Sequence, residues 1–532
     1  MGSSFHIENF GCRAARADGE AIADRLRGAG LCERQEAASD VVIVNTCSVT
    51  AEADRAARAF IRRTHRKNPA ARIVATGCYA QRAPEELAGL AGVAAVVGNS
   101  HKAFVPEIAL GLSLGHAGFE APGGMVSAAS LMAGGSATVL ADESFAHSFL
   151  EEMQVTPGAQ TRPNLKIQEG CGNRCSFCVI PWTRGLSKSL PYEAVLRQVQ
   201  GFVAAGGKEL VLSGINLGRW GRDFSAGAGS AVVDTRLSGV SEKERRSDEE
   251  PRSLAGLVRA IFERTELARL RLSSIEPMDW DAELIRLVAE FGGTRLARHA
   301  HLPLQSGSDA VLRRMHRRYR PWHYAAKVDA LFEAAGPELT LGADVMVGFP
   351  RETDGEFEET LEFVRALPFG YLHLFPFSPR PGTKAWTLHK ECGVPAHVVD
   401  ERMAELRSVE AEKKQSHRKP FVSRTLDAIT LHTPDALAIR GLTVALTENF
   451  LPVELEGVIA ANRLVRVKAI GLNAEGALRG HWAEVAEPDR SAKNSRPDSQ
   501  GADCGDFCAF VGENSGGDSL ETRSPIQTVL DR

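Results

Sequence analysis

Two long blocks of the sequence alternate short apolar runs with helical patterns, and this alternation constrains the fold more than any other feature. The first block, residues 1–105, contains the runs FHIENF, VVIVNT, RIVATG and AAVVG. The second block, residues 163–390, contains runs such as NLKIQEG, ELVLSG and LGADVMVG. Short apolar runs separated by helices are typical of βαβ units. We therefore expect an α/β protein with an N-terminal parallel sheet, then about six βα units forming a closed or partly closed sheet.

Composition changes mark the boundaries between the parts of this 532-residue chain. Gly, Ala and Ser dominate residues 111–160, and residues 223–252 turn from Gly/Ser-rich to highly charged, so we expect a linker and a surface insertion. Closely spaced strand patterns without helices then predict a small β-barrel, and a polar C-terminal stretch is typical of disorder. The expected parts are an N-terminal α/β domain at 1–110, the linker at 111–160, the βα barrel at 161–394 with its insertion at 223–252, a connecting helix at 395–418, the small β-barrel at 419–486 and a disordered tail at 487–532.

Whole-chain composition gives few hints about partners. The formal net charge of −4 does not indicate a nucleic-acid binder, so RNA contacts would need local basic patches. The N-terminus MGSSFHIENFGC does not resemble a secretory signal, and no apolar run reaches the length of a membrane helix. We expect a cytoplasmic protein with no membrane partner. A reducing cytoplasm disfavours structural disulfides, which leaves metal ligation, catalysis or packing for the ten cysteines.

The strongest chemical signal is the segment EGCGNRCSFC, which follows the first apolar run of the second block. Cys171, Cys175 and Cys178 have the spacing C-x3-C-x2-C. Four thiolates are the usual ligands of an iron–sulfur cluster, so three would leave one iron open to bind a substrate. The alternative is a structural zinc site, for which no fourth ligand is conveniently placed.

Three further cysteines follow successive apolar runs of the first block. Cys12 comes after FHIENFG, Cys47 after VVIVNT and Cys78 after RIVATG. Parallel strands end at the same edge of a sheet, so these residues should converge there, each just before a helix whose dipole favours a thiolate. A single cysteine at a strand end is usually a packing residue, but three at equivalent positions favour a shared site. Cysteines off this pattern, with no expected role, are Cys32, Cys392, Cys504 and Cys508.

The loop with Cys171, Cys175 and Cys178 resembles the radical S-adenosylmethionine (SAM) superfamily. That resemblance implies a partial (β/α)6 barrel and a 4Fe–4S cluster whose open iron chelates SAM. Electron transfer would then cleave SAM to a deoxyadenosyl radical. The cofactor would carry the difficult chemistry, while the protein orients it and excludes water.

The chain as a whole resembles the methylthiotransferase family. The segments NTCSVTAEADR, TGCYAQ, HLPLQSGSDAVLRRMHRRY and DVMVGFPRETDGEFEET carry the likeness, and ALTENFLPVELEG with RLVRVKAI resembles the RNA-binding TRAM barrel of that family. SVTAEAD and SGINLGRWG look most like its MtaB branch, which methylthiolates threonylcarbamoyladenosine beside the tRNA anticodon. The resemblance implies an auxiliary 4Fe–4S cluster on Cys12, Cys47 and Cys78, two SAM molecules, tRNA as partner, and an electron donor such as flavodoxin or ferredoxin.

Other functions remain open at this point. The same clusters could serve a methylthiotransferase for isopentenyladenosine in tRNA or for a ribosomal-protein aspartate. A different class is a non-catalytic iron–sulfur protein that binds RNA. One departure from the family pattern is Arg351, which stands where GFPGET has a glycine, so a positive φ there is in doubt.

The remaining candidate site residues are chosen by their position at the ends of the barrel strands or in arginine-rich segments. Strand ends carry the active site of βα barrels, and glycine, hydroxyl, amide and carboxylate groups there suit SAM. The candidate SAM residues are Ser213, Gly214, Asn216, Ser273, Glu276, Gln305, Ser306, Asp344 and Gly348. Two arginine-rich segments are candidate RNA contacts, because tRNA binding needs phosphate contacts. They comprise Arg55, Arg58, Arg62 and Arg66 on one helical face, and Arg313, Arg314, Arg317, Arg318 and Arg320 in RRMHRRYR.

Overall fold

The computed structural model of this protein describes residues 3–114, 137–145, 161–225 and 250–484. The tail expected at 487–532, most of the linker and most of the charged insertion lie outside these residues. Within the described ranges, no helix is long and apolar enough to cross a membrane.

The N-terminal domain is a parallel sheet of six strands with helices on both faces, in the order β2-β1-β3-β4-β5-β6. Its strands are β1 (Ser4–Asn9), β2 (Cys32–Glu33), β3 (Val41–Thr46), β4 (Arg72–Gly77), β5 (Val93–Gly98) and β6 (Thr138–Leu140). Its helices are α1 (Arg13–Gly28), α2 (Ala51–Lys67), α3 (Cys78–Arg82), α4 (Pro84–Ala88) and α5 (Val105–Ser113). Both faces of the central strands are buried against apolar side chains, as expected for strands that read as continuous apolar runs.

Strand β6 lies inside the segment expected to be a linker. Its residues pair with β5 from Ala95 to Val97, so the Gly/Ala-rich stretch contributes the edge strand of the sheet. The sequence TVL is too short to stand out from its small-residue surroundings by periodicity.

The second domain arranges six parallel strands around a partial barrel. The strands are β7 (Asn164–Glu169), β9 (Glu209–Gly214), β10 (Arg269–Leu272), β11 (His299–His301), β12 (Thr340–Val347) and β13 (Phe369–Pro376), with the short β8 (Lys188–Ser189) antiparallel to β7. Hydrogen bonding divides them into the sheets β10-β9-β7-β8 and β11-β12-β13. The helices are α6 (Ile180–Arg184), α7 (Tyr192–Ala204), α8 (Leu254–Arg264), α9 (Ala282–Phe291), α10 (Asp309–Arg314), α11 (Pro321–Ala335), α12 (Asp354–Ala366) and α13 (Lys384–Cys392). The expected α/β class with a partial βα barrel is confirmed.

The two faces of the last three strands differ in chemistry. Alternate residues such as Ala300, Ala343 and Leu372 pack in the apolar core shared with the helices. Successive strand residues point to opposite faces, so the intervening residues line the barrel interior. Those are His299, His301, Asp344, Tyr371 and His373, which contact one another.

Arg351 follows β12 and adopts φ +65°, the left-handed conformation that a glycine would provide. Its backbone N–H donates to the carbonyl of Cys392 at 3.0 Å. The turn is therefore kept despite the arginine, at a cost of about 1–2 kcal/mol in local strain.

The long helix α14 (Ala396–Arg418) leads into a closed five-stranded barrel. Its elements are β14 (Thr425–Thr430), the short helix α15 (Asp435–Ala438), β15 (Leu442–Thr447), β16 (Pro452–Glu456), β17 (Leu464–Leu472) and β18 (Leu478–Glu484). The turn between β15 and β16 inserts into one end of the βα barrel. There Phe450 stacks on His299 with ring centroids 4.2 Å apart, and Arg271 donates to the carbonyl of Thr447. The small barrel thus closes the end of the larger one that holds the starts of its strands.

Candidate functional site

Three cysteines meet where neighbouring strands of the N-terminal sheet end. Cys12 caps the start of α1, Cys47 follows β3 and Cys78 begins α3. Gly11 lies so close that a Cβ there would be 2.7 Å from the sulfur of Cys47, and its φ of +113° also favours glycine. The backbone at Gly11 therefore lies directly against the side chain of Cys47, which brings the segments of Cys12 and Cys47 together.

The ionisation of Cys47 differs from the expectation based on helix dipoles. Burial, together with the nearby Cys78, raises the pKa of Cys47 to about 11. Burial therefore opposes, in the metal-free thiol, the thiolate that the helix dipole favours. A coordinated metal deprotonates its thiol outright, so iron ligation would reverse this preference.

A buried arginine of the βα barrel reaches the N-terminal cysteines. Arg184, on α6 just after the CSFC loop, donates from Nε to the sulfur of Cys78 at 3.2 Å. The side-chain amide of Asn99 also approaches that sulfur, at 3.5 Å, and donates to the carbonyl of Thr183. The helix after one cysteine set therefore touches the other set. Neither Arg184 nor Asn99 stands out in the sequence, because a lone arginine or asparagine in a loop usually faces solvent.

Arg184 belongs to a buried ionic network between the two domains. Lys102, Lys166 and Arg184 contact the carboxylates of Asp18 and Glu169. Although burial opposes ionisation, Arg184 and Lys102 hold the pKa of Glu169 well below its usual range. Three cations face two carboxylates, so the network has a surplus positive charge beside Cys78.

A second buried ionic contact joins the domains. Arg380, after β13, donates to Asp54 at 2.7 Å, and Asp54 also accepts from Arg82 at 2.9 Å. Arg380 further bonds the carbonyl of Val49, two residues beyond Cys47. These contacts hold the edge with Cys12, Cys47 and Cys78 against the strand ends of the βα barrel.

The cysteine loop of the βα barrel has its own buried arginine. Arg317 donates from Nη1 to the sulfur of Cys175 at 3.4 Å and pairs through Nη2 with both oxygens of Glu276. The amide of Asn216 approaches the sulfur of Cys171 at 3.6 Å. Burial raises the pKa of Cys178 to about 12. Each cysteine set therefore has one buried guanidinium that donates to a sulfur.

Neither cysteine set is compact enough for a single ion. Across the described ranges, one group of three ligand atoms lies within 4.8 Å of one another, and it contains no cysteine: His301, Asp344 and His373. A multi-iron cluster spreads its cysteine ligands further than one ion does. Thiol donors of this spacing fit iron–sulfur chemistry.

Four of the expected SAM residues keep a buried polar atom without a hydrogen-bond partner in the described part of the chain. These atoms are Oγ of Ser213, Oδ1 of Asn216, Oγ of Ser273 and Oε1 of Gln305. Buried polar groups are normally paired, so these four atoms are available to a ligand. Gln305 also has φ +66°, a strained conformation common at functional sites. Hydroxyl and amide groups can bind the amino acid and ribose parts of SAM, so these residues fit that cofactor.

The other expected SAM residues have partners within the protein. Glu276 pairs with Arg317, the Ser306 hydroxyl bonds Thr360, and Asp344 lies between His301 and His373. Glycine is required at 214 by the close approach of Gln168, and at 348 by Val399 of α14. Close packing therefore accounts for glycine at positions 214 and 348.

The arginines of RRMHRRYR have acidic partners. The ion pairs are Arg313 with Asp309, Arg314 with Glu356, Arg317 with Glu276, Arg318 with Asp279 and Arg320 with Asp309. Arg317 is buried and donates to the sulfur of Cys175, so its guanidinium is not available to an RNA phosphate. The RNA interpretation of Arg317 is therefore wrong. Glu276, Asp279 and Glu356 are distant in the chain, so the sequence does not reveal these three pairs, whereas Asp309 lies four residues before Arg313.

The arginines of α2 differ. Arg55, Arg62 and Arg66 are exposed, and none has an acidic partner in the part of the chain that the structure describes. Arg58 instead bonds Tyr79 and pairs with Glu86. We call Arg55, Arg62 and Arg66 the exposed arginine row.

Comparisons with known proteins agree with this architecture. A family profile described as "Uncharacterized protein family UPF0004" matches residues 4–98, and one described as "Radical SAM superfamily" matches residues 165–364. The second match implies SAM and a 4Fe–4S cluster. A solved structure of the radical SAM methyltransferase TsrM from Kitasatospora setae has a TM-score of 0.50 at 15% identity, covering 73% of this chain and 77% of that chain. That likeness concerns the fold alone.

Curated relatives span nearly the whole chain. The threonylcarbamoyladenosine tRNA methylthiotransferase MtaB of Bacillus subtilis is 32% identical, over 88% of this chain and 93% of its own. The protein of the same name from Aquifex aeolicus is 31% identical, over 87% and 98%. The tRNA-2-methylthio-N(6)-dimethylallyladenosine synthase of Erythrobacter litoralis is 32% identical, over 81% and 87%. The resemblance read from the sequence, including its MtaB branch, is confirmed: the chain belongs to the radical SAM methylthiotransferase family.

Proposed function

We propose that the chain transfers a methylthio group to C2 of N6-threonylcarbamoyladenosine at position 37 of tRNA, using two 4Fe–4S clusters and two SAM molecules. The names of the Bacillus subtilis and Aquifex aeolicus relatives support this substrate. The observation that carries the proposal is the bond from Arg184 to Cys78, because it brings the two cysteine sets to one interface. A methylthio group assembled at one set would thus be close to the site where the substrate is activated.

The residues divide the work between the two sets. When bound, the clusters and SAM supply the deoxyadenosyl radical, the methyl group and the sulfur carrier. Cys171, Cys175 and Cys178 hold one cluster, and Arg317 donates to the sulfur of Cys175. Cys12, Cys47 and Cys78 hold the other cluster, and Arg184 donates to the sulfur of Cys78. Arg184 and Arg317 stabilise negative charge on the sulfurs, because hydrogen bonds to ionised acceptors are the stronger ones.

Ser213, Asn216, Ser273 and Gln305 orient SAM with their unpaired polar atoms. Their burial excludes water, which strengthens each contact and protects a reactive radical from side reactions. The exposed arginine row of α2 lies on the helix that follows Cys47, so phosphates of the tRNA anticodon arm can approach the same edge. The C-terminal barrel adds a second RNA surface, and a flavodoxin or ferredoxin in the cytoplasm delivers electrons.

Nucleoside mass spectrometry of tRNA from a deletion strain tests the substrate. Loss of methylthio-threonylcarbamoyladenosine alone is the expected result, restored by the wild-type gene. Loss of methylthio-dimethylallyladenosine instead would assign the activity of the Erythrobacter litoralis relative. No change in either nucleoside would contradict a tRNA substrate.

Anaerobic reconstitution of the full chain tests the cofactors. About eight irons per chain and cleavage of SAM to deoxyadenosine are expected for two 4Fe–4S clusters. Cys47→Ala should lower the iron content by about half, keep part of the SAM cleavage and abolish methylthio transfer. Four irons in the wild type, or transfer by Cys47→Ala, would exclude the two-cluster proposal.

A further inference from the structure

A histidine-rich cluster in the interior of the βα barrel has no part in the function proposed above. His301 ends β11, Asp344 lies within β12 and His373 within β13. The three strands are hydrogen-bonded neighbours, and their interior faces bring the side chains together. Each side chain offers one ligand atom, and these atoms all lie within 4.8 Å of one another.

The spacing of these atoms matches a metal coordination sphere. Oδ1 of Asp344 lies 3.5 Å from Nε2 of His301 and 3.3 Å from Nδ1 of His373. Metal–ligand bonds of about 2.0–2.1 Å place the ligand atoms of a tetrahedral ion about 3.4 Å apart. Two of the three edges thus have the length that a tetrahedral ion requires.

Independent evidence comes from the environment of His301. Its side chain is more than nine-tenths buried, and Nε2 lies 3.5 Å from Oδ1 of Asp344 without making a geometrically defined hydrogen bond in the described residues. The other ring nitrogen, Nδ1, lies 3.0 Å from Oγ of Ser274. If the ring donates from Nδ1 to Ser274, the lone pair of Nε2 faces the carboxylate of Asp344. Two acceptors that face each other need a cation between them, and metal-binding histidines are commonly oriented by such a contact to the second nitrogen.

We propose that His301, Asp344 and His373 bind a divalent transition-metal ion, of the class that includes zinc and ferrous iron. Two imidazoles and one carboxylate are a known ligand set for both ions. His373 is 59% exposed and Asp344 26% exposed, so the remaining coordination positions are accessible to solvent and can take water or an oxygen atom of a ligand. The site is separate from both cysteine sets, and its existence does not depend on which nucleoside is the substrate.

Zinc binding to the full-length protein tests the site. The clusters are first loaded anaerobically and the iron per chain is measured, so that the six proposed cluster cysteines are occupied. Equilibrium dialysis against Zn²⁺ should then give about one tightly held zinc per chain. X-ray absorption at the zinc edge should show nitrogen and oxygen ligands. Sulfur ligands, or no stoichiometric zinc, would overturn the proposal.

Variants localise the ion. His373→Ala should lose the bound zinc without a change in iron content or melting temperature, because the side chain is largely exposed. Ser274→Ala should weaken binding about 10–100-fold, as expected for a residue that orients a ligand. The matched control is His481→Ala, since His481 is 61% exposed and also pairs with one carboxylate, Glu456, at 3.6 Å. Equal zinc uptake by His373→Ala and His481→Ala would overturn the proposal.

Discussion

Substitution of Arg184 by methionine tests how the barrel supports the N-terminal cysteines. The side chain is completely buried and donates to the sulfur of Cys78 at 3.2 Å. A hydrogen bond to a charged group contributes about 1.5–3 kcal/mol, and each 1.4 kcal/mol corresponds to a factor of ten. Arg184→Met should therefore weaken retention of the proposed auxiliary cluster by about 10- to 150-fold.

The fold should tolerate this change better than most losses of a buried charge. Removing one partner of a buried ion pair typically costs about 3–5 kcal/mol, because the other charge is left uncompensated. Here Lys102 and Lys166 remain beside Asp18 and Glu169, so two cations still balance two carboxylates. We expect the variant to fold and to differ from wild type mainly in how tightly it retains the auxiliary cluster.

The assay is iron content per chain, followed by the rate of iron release to a chelator, in anaerobically reconstituted full-length protein. Arg184→Met should lose the iron of one cluster faster than wild type and retain the other. The matched control is Arg402→Met, since Arg402 is also a buried arginine and pairs with Glu352 and Asp354 without touching a cysteine. Identical iron release from the two variants, or wild-type release from Arg184→Met, would refute the reasoning.

Three further predictions concern His417, the exposed arginine row and Gly11. Burial, with a smaller effect of Arg418, lowers the pKa of His417 from 6.5 to about 4. The unfolded chain therefore binds the proton first as the pH falls, and stability present above pH 6.5 should drop by about 2 kcal/mol between pH 7 and pH 5. Urea unfolding of His417→Gln should show a smaller drop, and an unchanged pH dependence would contradict this. Alanine substitution of the exposed arginine row should weaken tRNA binding and reduce the slope of log K against log salt by about 0.7–0.9 per contact, whereas paired Arg313→Ala should have little effect in the same filter-binding assay. Gly11→Ala would place a Cβ 2.5 Å from Cβ of Cys47, so it should halve the iron content, and full iron loading would show that the edge can shift.

The pattern of apolar runs and cysteines predicted the parallel N-terminal sheet, the partial βα barrel and the convergence of Cys12, Cys47 and Cys78. That prediction succeeded because strand direction and the edge where ligands bind follow from local alternation alone. Spacing likewise identified Cys171, Cys175 and Cys178 as one loop. These features depend on neighbours in sequence, which the sequence displays directly.

Pairing between distant residues was beyond such reasoning. In the segment expected to contact RNA, Arg318 and Arg314 pair with Asp279 and Glu356, which lie far away in the chain. Arg184 was missed for the same reason, since only the packed domains show that it touches Cys78. The histidines of the barrel interior did carry a signal, because HAH and YLH place titratable rings on one face of strands that are otherwise apolar.

The position of Phe450 affects how the C-terminal barrel can be studied. Its ring stacks on His299 and lies beneath the guanidinium of Arg271, whose other contacts include Glu209. A truncated protein without this barrel would lose the contacts that close one end of the βα barrel, as well as the RNA surface that we propose for the small barrel. Water would enter the βα barrel at the end where its strands start, and the buried ion pair of Arg271 with Glu209 would become hydrated. Loss of activity on truncation would therefore have two possible causes, opening of the βα barrel to water and loss of tRNA binding. A charge change on an outer strand, such as Arg466→Ala, would affect tRNA binding alone and so separate the two.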